Sequence, residues 1–157
     1  MSESPRRRYW DSNLFIALIK NEEGRAQVAQ RILQAAARGE TEIVTSAITL
    51  VEVIKTSKES PPLTREDEEE VHRYFQHEYL LLVPFGPDMG ERARSLIWEF
   101  GVRVRDAIHV ASSLRADAQV METYNGQLHR LNGHPAVGSL LVREPAWEGD
   151  SPIEFGD

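Results

Sequence analysis

The sequence predicts an α/β fold, with a mainly parallel central sheet and helices on both faces. Short segments rich in β-branched and apolar residues alternate with longer ones whose apolar residues recur at helical spacing. One short segment, Leu80-Leu81-Leu82-Val83-Pro84, is a continuous apolar run, as expected of a buried parallel strand. The 157 residues suit one domain with a real core, and no internal repeat, low-complexity tract or linker divides them.

In chain order, Tyr9-Trp10-Asp11 reads as a short strand ending in an acid, and Ser12 or Asn13 can cap the helix carrying Leu14, Phe15, Leu18 and Ile19. A second helix, with Val28, Ile32, Leu33 and Ala36 on one face, ends at Arg38-Gly39. Thr41-Glu42-Ile43-Val44-Thr45 is a β-branched strand, after which Ser46 can cap a helix running through Ile48, Val51, Glu52, Val53 and Ile54. A loop, 55–62, leads to a helix started by Thr64, whose acidic first turns suit the helix dipole. The apolar run at 80–84 follows, then a helix capped by Asp88 and ended by Gly101. Asp106 starts the next helix, with Ile108, Ala111 and Leu114 facing the core; strands at Gln119-Val120-Met121-Glu122 and Ser139-Leu140-Leu141-Val142 complete the pattern.

Composition narrows the function classes. Hydrophobic residues at 41% and charged residues at 27% describe an ordinary globular chain. No apolar run is long enough to cross a bilayer, no signal-peptide pattern is present, and the absence of cysteine excludes disulfides and thiolate metal sites. The expectation is a cytoplasmic protein with no membrane contact. A net charge of −7 argues against a general nucleic-acid coat protein. Basic residues are nonetheless clustered at Arg6-Arg7-Arg8 and at Arg103 with Arg105, each just before an acid of interest.

In doubly wound sheets, ligands bind beyond the carboxyl ends of the strands. Asp11 ends the first strand, Glu52 follows the second, Asp106 begins a helix, and Asn125 lies in the loop after Glu122. Each acid alone has an ordinary explanation, as a cap, a first-turn acid or one of 25 scattered carboxylates. Brought together, three carboxylates repel and raise one another's pKa unless a cation offsets them. Their hard oxygens suit Mg²⁺ or Mn²⁺, which can activate a water and stabilise charge on a phosphate.

Three segments carry a resemblance. Tyr9-Trp10-Asp11-Ser12-Asn13-Leu14-Phe15-Ile16, Thr45-Ser46-Ala47-Ile48-Thr49-Leu50-Val51-Glu52-Val53 and Arg105-Asp106-Ala107-Ile108-His109-Val110-Ala111 resemble, in order and spacing, the acidic segments of PIN domains. The size resembles that of the VapC-like toxins in that family. The resemblance implies a PIN-like α/β/α sandwich over 9–143; the residues themselves read as a polar lead-in at 1–8 and, with Pro145, Gly149, Pro152 and Gly156, as a flexible tail at 144–157. The resemblance also implies a Mg²⁺- or Mn²⁺-dependent endoribonuclease acting on RNA, silenced by a small antitoxin and commonly a homodimer. Asp11, Glu52 and Asp106 take the catalytic and metal-site roles, with Ser12, Asn13, Ser46 and Thr123 in support. Asn125 stands where the family often has an acid, which makes it a neutral, weaker ligand. If the loop aligns one residue differently, Glu122 contributes instead.

Arg103 and Arg105 are the candidates for RNA phosphate contacts. His109, one turn after Asp106, reads as a packed or surface histidine before a catalytic one. Trp10, Trp98 and Trp147 can stack on bases, although the spacing of Trp98 with Leu96, Ile97 and Phe100 reads as core or interface. Leu33, Ala36 and Ile54 can supply dimer surface. The alternative from another class is a catalytically weakened PIN-like module that binds RNA or a protein, for which Asn125 speaks. An aspartyl phosphotransferase wants a second acid where Asn13 stands, and a dinucleotide-binding domain wants a Gly-rich turn after the first strand; both rank below.

Overall fold

The structure, a computed structural model, describes residues 5–53 and 63–147. Five strands form one sheet: β1 (Arg7–Trp10), β2 (Glu42–Ser46), β3 (Leu80–Val83), β4 (Val120–Glu122) and β5 (Leu141–Arg143). Their order is β3-β2-β1-β4-β5 and every pairing is parallel. The sheet is thus wholly parallel, and β1 is central because later strands add first on one side of it and then on the other. That reversal leaves a crevice beyond the carboxyl ends of β1 and β4, where a doubly wound sheet binds its ligand.

Seven helices complete the described residues: α1 (Ser12–Ile19), α2 (Arg25–Ala37), α3 (Thr49–Glu52), α4 (Arg65–Phe75), α5 (Pro87–Phe100), α6 (Val104–Arg115) and α7 (Gly126–His129). Strand alternation divides the core. Tyr9, Val44 and Met121 face a cluster completed by Met89, Ala93 and Leu96 of α5 and Ala107, Val110 and Ala111 of α6. Trp10 and Ile43 face the opposite cluster, with Leu14, Phe15 and Leu18 of α1, Ile32 of α2 and Val71 of α4.

Several elements differ from the sequence reading. β1 begins before Tyr9 and takes in Arg7 and the fully buried Arg8. The residue that caps α1 is Asp11, not Ser12 or Asn13: its backbone is extended and its carboxylate accepts from the Asn13 N–H. Ser46 does not cap α3; its hydroxyl accepts from Ile48 N–H in the preceding turn, and α3 is only four residues long. Ile54 and the 55–62 loop lie outside the described residues. Thr64 does cap α4, in a reciprocal box with Asp67. At α5 the cap is Gly86 with Pro87 in the first turn, and Asp88 sits inside the helix. Gly101 ends α5 at φ +66°, a left-handed conformation that suits glycine.

The apolar run at 80–84 is an edge strand, not a buried one: β3 pairs only with β2, and Leu81 and Leu82 are each 37% exposed. Trp98 is on the surface at 83% exposure, because the core face of α5 is made by Met89, Ala93 and Leu96. The core residues of α6 are Ala107, Val110 and Ala111, while Ile108 and Leu114 are only partly buried. Beyond β4, α7 and a 3₁₀ turn at Pro135–Val137 occupy what reads in the sequence as loop. The first residues of the expected tail, 144–147, pack onto the sheet. The Ala146 N–H donates to Glu122, and Trp147 lies under the Arg8 guanidinium.

Candidate active site

A cleft of about 430 Å³ opens at the carboxyl edge of the sheet, and all three predicted acids line it. Asp11 enters from the β1–α1 junction, Glu52 from the end of α3, and Asp106 from the first turn of α6. Ser12, Asn13, Arg103, Arg105 and Asn125 share the lining, as do Ile16, Glu22, Arg25, His109, Tyr124 and Gln127. Of the predicted supporting residues, Ser46 and Thr123 are buried behind it.

Asp11 is 5% exposed. One carboxylate oxygen accepts from Asn13 N–H at 3.2 Å, and the other accepts from the Thr123 hydroxyl. The residue therefore caps α1 and faces the cleft at once. Burial pushes its pKa up, offset in part by the Thr123 hydrogen bond and the Asn13 N–H, while the Asp106 carboxylate adds to the rise. Thr123 is fully buried, and its hydroxyl also accepts from Asn125 N–H at 3.1 Å. The Thr123 carbonyl is held in turn by His129 Nε2 at 2.7 Å.

Glu52 has its side chain 16% exposed. Oε1 accepts from Ser12 Oγ at 2.5 Å and from His109 Nε2 at 2.6 Å, and Oε2 lies 3.9 Å from Arg105 Nε. Burial works to raise this carboxyl, but hydrogen bonds from His109 and Ser12 and the nearby Arg105 hold it below the usual range. Asp106 is partly buried, and its Oδ2 accepts from Asn125 Nδ2 at 3.1 Å. Asn125 Oδ1 accepts from Gln127 N–H at 3.0 Å, which caps α7. The amide thus ties Asp106 to the start of α7, its nitrogen toward the acid and its oxygen toward the cap.

Glu122 is excluded from this cleft. It pairs with Trp10 in the strand register, and its side chain points into the opposite core cluster. There it takes hydrogen bonds from Arg8 Nη1 at 2.7 Å, Trp10 Nε1 at 2.9 Å and Ala146 N–H at 3.2 Å. The same contacts bury Trp10 completely, so it is no surface for stacking a base. His109, read as a packed histidine, is packed at 2% exposure, yet it also bridges Tyr9 and Glu52. Arg25 was not singled out in the sequence. It stacks 4.1 Å from the centre of the Tyr124 ring in the lining of the cleft, and nothing local in the sequence pairs these two residues.

The donor set is one of hard oxygens. Among the described residues, no three acidic or histidine side chains already stand at the spacing that holds an ion by itself. Mg²⁺ asks for less, because it keeps several waters and takes one or two carboxylates directly. Asp11 and Asp106 line the same cleft and fit that demand, and Glu52 is a third carboxylate in the lining.

A family model described as "PIN domain" matches residues 8–133. The chain belongs to the PIN-domain family. No curated protein matches it. Solved structures share the fold of this PIN domain at low identity. One is a toxin–antitoxin complex from Klebsiella pneumoniae, 21% identical, with a TM-score of 0.62 over 88% of this chain and 97% of that one. A second is VapBC2 from Rickettsia felis bound to a DNA fragment from its promoter, 14% identical, with a TM-score of 0.62 over 88% and 98%. A third is VapC20 from Mycobacterium tuberculosis, a toxin that cleaves the sarcin–ricin loop, 16% identical, with a TM-score of 0.60 over 76% and 90%. At these identities the likeness shows the fold, and the PIN domain's own site has to carry the chemistry.

Proposed function

We propose that this PIN domain is a Mg²⁺- or Mn²⁺-dependent endoribonuclease, the toxin of a toxin–antitoxin pair. The observation that carries the reading is the convergence of Asp11, Glu52 and Asp106 on one cleft, with Asp11 buried and raised in pKa beside a second carboxylate. Such an arrangement is unfavourable by itself and is relieved by a bound cation. Asp11 and Asp106 are the residues to hold the ion, with Glu52 bound to its water shell. When bound, a divalent ion supplies a water of lowered pKa and stabilises charge on the phosphate.

The chain's own groups do the rest. Arg105, with its side chain 64% exposed, and Arg103 at the start of α6 line the cleft, as does Arg25. They suit the phosphates flanking the scissile bond, which offsets the chain's overall acidity where RNA lies. Thr123 and Asn13 fix the two oxygens of Asp11, and Asn125 fixes Asp106, so the acids are ordered before substrate arrives. The reading includes a small antitoxin partner, which the toxin–antitoxin complexes of the same fold support, and a homodimer, for which the exposed Trp98 offers apolar surface. It places the protein in the cytoplasm, where its RNA is; no helix among the described residues is long and apolar enough to cross a membrane.

Asp11→Asn tests the site. Metal-dependent cleavage of total RNA by antitoxin-free protein should disappear in the variant with the fold retained, and retained specific activity refutes the assignment. The second reading, a binding module with weak or no catalysis, is favoured by one observation: Asn125 gives Asp106 an amide donor where a carboxylate would add charge. RNA binding without cleavage, from folded and metal-loaded protein, selects it.

A further inference from the structure

We infer that His109 is a positioning residue for Glu52. It fastens one carboxylate oxygen to the core so that the other is presented to the cleft. The consequence for metal binding rests on the nuclease reading above; the fastening itself rests on geometry alone.

Glu52 needs such a device. It is the last residue of a four-residue helix, too short to be stable by its own hydrogen bonds. The buried Thr49 and Val53 hold the backbone to the core at the two ends of this turn, but Leu50 and Val51, the two residues before Glu52, are 44% and 68% exposed, so backbone anchorage alone does not select a rotamer for the Glu52 side chain. A glutamate has rotamer freedom to lose, so an unheld carboxylate at this place samples several positions. Two donors converge on its Oε1, Ser12 Oγ at 2.5 Å and His109 Nε2 at 2.6 Å. An ionised carboxylate only accepts, so Nε2 carries a proton in either charge state of the ring.

The ring is itself fixed from behind. His109 Nδ1 lies 2.6 Å from the Tyr9 hydroxyl, and that oxygen accepts from Ser46 N–H at 3.1 Å. Tyr9 is fully buried in the centre of the sheet, and its ring meets the imidazole edge-on with centroids 5.7 Å apart. Order is thus passed from β2 and β1 through an imidazole of α6 to the flexible side chain of Glu52. A histidine present only to fill the core would spend its second nitrogen on a backbone carbonyl or another core group. Here that nitrogen meets the acid at the cleft, and Glu52 Oε2 is left facing the side of Arg105. Outer partners that orient direct metal ligands typically change affinity or activity 10–100-fold when removed; Glu52 acts through the ion's water shell, so the effect expected here is at or below the low end of that range.

The test uses the full chain with His109→Leu, which removes the donor, and His109→Gln, whose amide nitrogen falls near the position of Nε2. Mn²⁺ binding, read by electron paramagnetic resonance, should weaken severalfold, up to about tenfold, in His109→Leu and recover most of the way in His109→Gln. The Mg²⁺ concentration for half-maximal RNA cleavage should rise by a similar factor, with the KM for RNA at saturating Mg²⁺ unchanged. A role confined to packing would follow side-chain volume and would not be rescued by Gln. A second measurement needs neither metal nor folded His109 variants: the two-bond ¹H–¹⁵N spectrum of the metal-free histidine rings, wild type against Glu52→Ala. The Nε2 proton of His109 should be hydrogen-bonded in the wild type and change on loss of Glu52. Mn²⁺ affinity in His109→Leu equal to wild type, or an Nε2 signal indifferent to Glu52→Ala, overturns the inference. A wild-type protein that binds no Mn²⁺ removes the metal reading instead, and the ring spectrum still decides the fastening.

Discussion

Glu122→Leu should be the most damaging single change outside the cleft. The side chains of Glu122 and Arg8 are both 0% exposed, with Arg8 Nη1 2.7 Å from Oε2. The carboxylate also accepts from the Trp10 indole N–H and the Ala146 N–H, so its loss takes an anionic partner from the buried guanidinium and deprives two further donors at once. Breaking a buried pair by removing one partner typically destabilises by about 3–5 kcal/mol, because the remaining charge stays desolvated. Each orphaned buried donor adds roughly 1–3 kcal/mol in isolation. These terms overlap, since Arg8 keeps the Ala146 carbonyl at 2.9 Å, and a loss of about 4 kcal/mol is the working figure. For a domain of this size that lowers Tm by roughly 8–16 °C. Urea denaturation reads it directly: the midpoint should fall with the slope unchanged. Arg8→Met with Glu122→Leu should recover much of the loss, because an apolar pair removes the buried charge rather than abandoning it. A single-variant loss below about 1 kcal/mol, or a double variant no better than the single, would refute the reasoning.

Other outcomes follow from the cleft. Asn125→Asp puts a carboxylate against Asp106 and removes the Nδ2 donor, so the metal-free protein should lose about 1–3 kcal/mol and regain it when Mn²⁺ is added; thermal melts with and without metal check this. Arg105→Ala, at an exposed position, should leave Tm unchanged and reduce the salt dependence of RNA binding by about one phosphate contact, read from the slope of log affinity against log salt. The pH dependence of metal-free stability has a definite sign. Asp11 has a raised folded pKa, so its contribution is fully present below the unfolded value of about 3.9 and is lost as pH rises through the folded value. Glu52 is depressed, so its contribution is present above about 4.3 and is lost as pH falls. Asp11→Asn should therefore remove the loss that accompanies rising pH above the unfolded carboxylate value and leave in place the Glu52 loss that accompanies falling pH, as urea titrations across pH would show.

The sequence made the sheet and the three acids legible because both depend on short-range pattern. The β-branched and apolar segments fix the strands, and an acid directly after Tyr9-Trp10 can only emerge at the strand's carboxyl end. Position within the sheet is another matter. Leu80 to Val83 looks like a buried strand because an apolar run does not say which neighbour is missing; β3 has β2 on one side alone. Trp98 looks like core on helical spacing with Leu96 and Phe100, yet a helix buries only one stripe and Trp98 falls off it. α6 misled in the opposite way. His109, Ser112 and Ser113 are buried polar residues satisfied by partners, which blurs the apolar period from which its core face is read. The partnership of His109 with Glu52 joins residues 57 positions apart, backed on the other ring nitrogen by Tyr9, 100 positions from His109, and no local signal encodes it.

The central claim is that Asp11, Glu52 and Asp106 form one metal-dependent cleft in which a water attacks RNA. The most direct measurement is on the fragment ends produced by antitoxin-free protein with Mg²⁺ from an RNA carrying a single 2′-deoxy nucleotide at the cut, beside Asp11→Asn and a chelator control. The account predicts that the deoxy substrate is still cut, with no cyclic phosphate in the products, and that both the variant and the chelator abolish cleavage. Cyclic-phosphate ends, or cutting that survives Asp11→Asn, would contradict it.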